Sequence, residues 1–333
     1  MNIKRKKICL LFCGGSILVS RDSKSIKVLA KKDIPRWMNE VSELKIIAEI
    51  DPVFVFSGSS DSISPEVWSR LAKEIKKRYN SYDGFVITHD FDSIVYSSAA
   101  LSFMLQNLGK PVILTGSHEV NENIKGAEKM FQNFRNLGIR ANLINAVQVA
   151  IMNLAEVGIM YGNRLLQATQ TQKSLSNAIN LYDTTGEYLG KVDFGIRLAE
   201  DRQLRRKTAL VLRPMIERSV FVLHLYPGMD IVAALNLLSR DIKAIIIRAA
   251  DVALKTADIK HLEKFSAERK VPIFIQLDDK QQLDQAKGLI YLPTMIPEVS
   301  LVKVMWALGQ TKSISQLRSL IKENLANEFL NGQ

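Results

Sequence analysis

Cysteine is scarce: only Cys9 and Cys13 occur among 333 residues. Two thiols near one end make no disulfide framework and fit a reducing compartment. No uncharged apolar run approaches the ~18 residues needed to span a bilayer. There is no Gly-x-Gly-x-x-Gly and no Walker lysine, so neither a dinucleotide cofactor nor a phosphate cradle is supported. The four histidines, His89, His118, His224 and His261, show no metal spacing, and without clustered cysteines no metal is expected.

What is there is an ordinary globular composition, 47% hydrophobic and 24% charged. At about 100–200 residues per domain the length argues for two domains. Forty-five Lys and Arg against 34 Asp and Glu leave a formal charge of +11, which raises the question of an RNA partner. The tightest basic runs, Lys4-Arg5-Lys6-Lys7 and Arg202 to Lys207, are not interleaved with aromatics. Solvated faces therefore explain the charge better than a nucleic-acid interface.

The N-terminus resembles the start of a secretion signal, and Cys13 after Leu10-Leu11-Phe12 has a faint likeness to a lipoprotein cleavage site. The apolar stretch breaks at Gly14-Gly15 after about five residues, short of the roughly 7–15 of a signal core. The reading is a cytoplasmic protein with no membrane partner.

Short apolar runs alternate with helical patterns. Ile8–Phe12, Val53–Phe56, Phe85–Thr88 and Val112–Thr115 read as buried strands. Ser64-Pro65 predicts a helix start, with Ser as N-cap and Pro at the first helical position. Val67, Trp68, Leu71, Ala72, Ile75 and Tyr79 follow at helical spacing. A second helix is expected from Ile94 to Leu108, stopped by Gly109 and Pro111. A charged, irregular stretch, 191–213, reads as a linker between an N-terminal domain (1–190) and a C-terminal domain (214–333). Strands at Val220–Leu225, Ala244–Arg248 and Pro272–Gln276 and helices at Glu298–Leu308 and Ile314–Phe329 complete the second domain. The class is α/β: two domains, each a mostly parallel sheet flanked by helices.

Ligands of such sheets bind beyond the carboxyl ends of the strands. The loops there read Cys13-Gly14-Gly15-Ser16, Ser57-Gly58-Ser59-Ser60-Asp61, His89-Asp90-Phe91-Asp92-Ser93 and Gly116-Ser117-His118. They are small, hydroxyl-rich and acidic.

These loops, in this order, resemble the bacterial-type L-asparaginase family, in particular its cytoplasmic type I branch. Cys13-Gly14-Gly15-Ser16-Ile17 sits on the family's TGGTI signature, and Ser59 to Pro65 with Trp68 on a DSSxMTPxxW-like segment. Tyr82-Asp83-Gly84-Phe85-Val86-Ile87, then His89 and Asp92, follows YDGFVxxHGTDT. Ala100 to Leu105, Gly109-Lys110-Pro111-Val112, Thr115-Gly116-Ser117, Gly162-Asn163-Arg164, Tyr226-Pro227-Gly228 and Trp306 to Gln310 also match in order. The resemblance implies a two-domain asparaginase-like fold, no cofactor, a homo-oligomer (dimer or tetramer) and hydrolysis of a side-chain amide by activated hydroxyls. A hydroxyl attacks well only where a neighbouring base takes its proton.

Carried over by position, the resemblance makes Ser16 the candidate nucleophile and places Ser60 and Asp92 on the α-carboxylate and α-ammonium of a small amino acid. Phe91 stands where the relay threonine is expected and Gln167 where the relay lysine is. Ile26 takes the place of the lid tyrosine. The glycine-rich C-terminal loops read Ala250-Asp251-Val252-Ala253 and Leu277-Asp278-Asp279-Lys280, and Lys125 falls on an aspartate of the family. Without a hydroxyl at 91 or an amine at 167 the relay cannot move a proton. The leading expectation is an impaired or inactive member that keeps part of an amino-acid pocket. The alternatives are an active amidohydrolase using Ser16 with Asp90 as substitute base, and an RNA-associated protein. Cys13 and His89 read as packed structural residues.

Overall fold

The computed structural model describes residues 5–14, 17–19, 25–58, 63–117, 140–173, 182–249, 254–277 and 288–330. The chain divides into two units, Met1–Pro214 and Met215–Gln333.

The first unit contains the strands β1 (Lys7–Cys13), β2 (Ile17–Val19), β3 (Ser25–Lys27), β4 (Glu49–Phe56), β5 (Gly84–Asp90), β6 (Leu105–Gln106) and β7 (Val112–Ser117). It continues with β8 (Val157–Tyr161), β9 (Arg164–Gln167), β10 (Thr171–Lys173), β11 (Tyr182–Thr184), β12 (Gly190–Val192), β13 (Ile196–Leu198) and β14 (Val211–Leu212). Its helices are α1 (Ile34–Glu40), α2 (Leu44–Ile47), α3 (Pro65–Arg78) and α4 (Ile94–Met104), with residues 140–150 also helical (α5).

The main sheet has the order β13-β12-β9-β8-β7-β5-β1-β4. From β4 to β8 neighbouring strands run parallel, and from β8 to β13 they are antiparallel. Strands β1 and β5 are central and buried almost throughout, as continuous apolar runs covered on both faces should be. On one face Ile8, Leu10, Phe12, Val86 and Ile113 pack under α1, α2 and α5. Helices α3 and α4 lie on the other and contact β4, β7 and β8. Pro52 is tolerated because β4 is an edge strand, where its missing N–H faces away from the sheet.

Helix α3 starts where the sequence places it, with Ser64 extended at the N-cap and Pro65 first in the helix, but the Ser64 side chain makes no capping bond. Its five periodic apolar positions, and Tyr79 just beyond its last turn, are all buried, and the Trp68 indole N–H donates to Ser97 Oγ of α4 at 2.8 Å. Helix α4 ends at Met104, earlier than the expected Leu108. Leu105 and Gln106 turn into β6, which pairs with β14, and Asn107 takes a left-handed φ of 56°. Gly109 is needed for another reason than a helix stop: a Cβ there would strike the Arg206 carbonyl, whose own N–H donates to Gly109 O at 3.2 Å.

The stretch expected to be irregular instead carries β12 and β13 and then runs back across the first unit. Arg205 donates there to the carbonyls of Asp83, Ala150 and Met152.

The second unit holds a parallel sheet β15 (Val220–His224), β16 (Ala244–Arg248), β17 (Ile273–Gln276) and β18 (Leu289–Tyr291), in that spatial order. Its helices are α6 (Ile231–Asn236), α7 (Thr256–Arg269), α8 (Pro297–Gln310) and α9 (Ile314–Lys322). Helix α9 ends at Lys322, short of Phe329. The fully buried Lys303 ammonium of α8 takes the carbonyls of Ile321 and Glu323, at 2.9 and 2.6 Å, so the last turn finds its acceptors' partner in a side chain.

Candidate functional site

In the first unit the strand order reverses at β1, which has β4 on one side and β5 on the other. The crevice outside the carboxyl ends of β1 and β5 is where such a sheet offers a ligand site.

The β1 end is fixed by Gly14. Its φ is +59°, and a Cβ would stand 2.9 Å from the Gly58 carbonyl, so an L side chain fits neither the conformation nor the space. The Gly14 N–H donates to Phe56 O at 2.9 Å, tying this loop to the end of β4. Cys13 is fully buried, and burial pushes its thiol up to about 12. That keeps it protonated and inert, as its structural reading requires. Ser16 and Ser60 lie outside the described residues, as do His118, Lys125, Ala250 to Ala253, and Asp278 to Lys280.

The β5 end carries His89, Asp90, Phe91 and Asp92. His89 is completely buried. Its Nδ1–H donates to the Asp90 carbonyl at 2.6 Å, and its Nε2 has no hydrogen-bond partner among the described residues. Burial holds its pKa below the usual imidazole value, so the ring is neutral. Asp90 is buried too, and its Oδ1 accepts the Asp92 N–H at 2.9 Å. The carboxylate thereby shapes its own turn.

The Phe91 ring is buried in a trio of aromatics. It meets Tyr161 edge-on at 5.0 Å between centroids and Tyr182 at 5.9 Å, while the two tyrosines meet each other at 5.8 Å. Edge-to-face contact of this kind suits the quadrupoles of the rings. The Tyr182 hydroxyl donates to the Phe91 carbonyl, and burial raises the pKa of that phenol.

Asp92 is half-exposed, and its Oδ1 lies 3.2 Å from Lys173 Nζ. Lys173 and Tyr182 stand directly opposite each other in the antiparallel ribbon of β10 and β11. Gln167, by contrast, is buried on β9, paired with Gly158 of β8. Its carbonyl accepts the Thr171 hydroxyl at 2.6 Å. Ile26 belongs to the apolar core with Leu18 and Trp37.

Of the residues expected to form a site, the described part brings Asp90, Phe91 and Asp92 together on one loop. Sequence reasoning missed Tyr161, Tyr182 and Lys173. The amine lies six positions beyond Gln167, and only the pairing of β10 with β11 aims it at Asp92. Among the described residues no group of three or more His, Cys, Asp or Glu side chains could hold a metal ion.

The model of the family described as "Asparaginase, N-terminal" matches residues 7–203, well over half of the chain. The chain belongs to the asparaginase family. L-asparaginase 1 of Escherichia coli (strain K12) is 27% identical, the match covering 98% of this chain and 99% of that protein. A glutamyl-tRNA(Gln) amidotransferase component from Metallosphaera sedula is 26% identical over 97% of this chain and 76% of its own length. L-asparaginase I from Vibrio cholerae superposes with a TM-score of 0.78 at 23% identity, covering 98% of this chain and 99% of that one. The thermostable L-asparaginase from Thermococcus kodakarensis gives 0.76 at 21% identity, covering 98% and 100%. At such low identity these two establish the asparaginase fold alone. The family expected from the loop motifs and the α/β architecture expected from the strand–helix alternation are both borne out.

Proposed function

We propose that this asparaginase-family chain is catalytically silent and keeps part of a pocket for a small amino-acid-type ligand. Phe91 carries the reading. At the loop position that the family resemblance gives to a hydroxyl, the side chain is a buried ring locked between two tyrosines. Two further residues support it. Gln167 offers a carboxamide in place of an amine, and the Asp90 carboxylate is engaged by the loop's own N–H, which counts against its service as a base for Ser16. A catalytic unit that lacks a member loses on the order of 10⁴-fold or more in rate.

The same reading makes the chain a cytoplasmic homo-oligomer, dimer or tetramer, with no RNA partner. No described helix is long and apolar enough to cross a membrane. Light scattering on the purified protein tests the assembly, and RNA binding across a salt series tests the last point.

The deciding assay is ammonia release from L-asparagine by the purified chain, with Ser16→Ala as its control. The expected result is no release above the variant. Release that disappears in Ser16→Ala would make the chain an active amidohydrolase and overturn the proposal.

A further inference from the structure

The half-exposed Asp92 carboxylate at the end of β5 already holds a cation. Lys173 Nζ stands 3.2 Å from its Oδ1. The lysine is aimed by backbone pairing. It lies opposite Tyr182 in the β10–β11 ribbon, and residues opposite one another across antiparallel strands share a face. The Tyr182 hydroxyl holds the carbonyl of Phe91. One face of the ribbon thus grips two successive residues of the loop, the backbone of one and the side chain of the next.

We infer that Lys173 is a specificity-determining residue: its ammonium occupies the carboxylate to which the family resemblance gives a ligand's α-ammonium, so the amino-acid-type pocket accepts small dicarboxylates lacking an ammonium more readily than amino acids themselves. The inference rests on the reading of the β5 loop as a ligand site. An incoming α-ammonium must displace the lysine or share Asp92 with a like charge. For a dicarboxylate the same lysine is an attraction, because an ammonium has three N–H donors and Asp92 engages one of them. Both side chains are about half exposed, so solvent screens the effect. Exposed pairs of this kind shift an equilibrium by about 1.5- to 5-fold.

The test is titration calorimetry of the full chain with succinate and with L-aspartate, in wild type, Lys173→Met and the double variant Lys173→Met/Asp92→Asn. Wild type is expected to bind succinate more tightly than L-aspartate. Lys173→Met should gain about 2- to 5-fold for L-aspartate and lose a similar factor for succinate, and adding Asp92→Asn should remove the L-aspartate gain. The lysine is exposed, so matching melting curves exclude a folding defect. If the ratio of the two affinities is the same in wild type and Lys173→Met, Lys173 does not select the ligand, although the loop still binds one. If neither compound binds any variant, the loop is no ligand site and the inference falls with that reading.

Discussion

Replacing Glu328 by glutamine strands an ammonium in the interior of the second unit. Lys303 and Glu328 are both fully buried. Lys303 Nζ donates to the Ile321 and Glu323 carbonyls and to the Glu328 carboxylate, and lies 4.5 Å from the centroid of the Phe329 ring. Glu328 in turn accepts the N–H groups of Leu325 and Ala326, at 3.2 and 2.7 Å. Removing one partner of a buried pair costs about 3–5 kcal/mol. The two carbonyls and the ring remain around the ammonium in Glu328→Gln, which places the loss near the lower end, about 3 kcal/mol. Lys303→Met leaves a carboxylate with its two N–H donors and should cost about as much, whereas Lys303→Met/Glu328→Leu removes both charges and should cost less than the sum. Urea unfolding followed by circular dichroism reads each value.

The pH dependence sharpens this test. Burial holds the Lys303 amine below its usual pKa, with Glu328 opposing that shift, so loss of Glu328 lowers it further. The unfolded lysine titrates near 10.4. Between the folded and unfolded values the unfolded chain binds more protons, and stability rises with pH. Glu328→Gln widens that window, so its deficit should be smaller at about pH 9.5 than at pH 7. A deficit under about 1 kcal/mol at pH 7, the scale of an exposed pair, or one that grows with pH, would mean that Glu328 does not compensate a buried ammonium.

Three further outcomes follow from the first unit. The buried His89 stays neutral below about pH 6.5, where the unfolded chain protonates, so stability should fall as pH drops from 7 to 5 and His89→Gln should flatten that slope in urea midpoints. Cys9 and Cys13, both buried and pushed up to about 12, should resist a disulfide reagent at pH 8 in the native chain and react in denaturant; rapid native reaction would contradict the burial. Phe91→Thr should lose about 3–4 kcal/mol by deleting the ring from its contacts with Tyr161 and Tyr182, and should still release no ammonia. A loss below about 1 kcal/mol in thermal or urea unfolding would mean that the ring is not a packing element.

Much of the sheet was legible because β1, β5, β7, β16 and β17 are buried on both faces, and burial of that kind writes an unbroken apolar run. The antiparallel side was not. β9, β12 and β13 are three or four residues long, and partial exposure mixes charge into them, as in Gly190-Lys191-Val192. Helix ends were misjudged where a distant group decides them: β14 draws Leu105 into a strand, and Lys303 claims the carbonyls at the end of α9. The loop of Asp90, Phe91 and Asp92 was reached because it follows the apolar run of β5 and aligns with a family motif. Lys173 and Tyr182 were hidden, since what brings them to the loop is the register of a three-residue ribbon.

The three interlocked rings have a consequence for the history open to this chain. A threonine at position 91 would leave a ring-sized void between Tyr161 and Tyr182, and filling it would require those tyrosines to change as well. Each single step on that path passes through a less stable protein. The loop therefore behaves as a ratchet: with the trio in place, putting a hydroxyl at 91 without loss of packing takes coordinated exchanges at Tyr161 and Tyr182 as well.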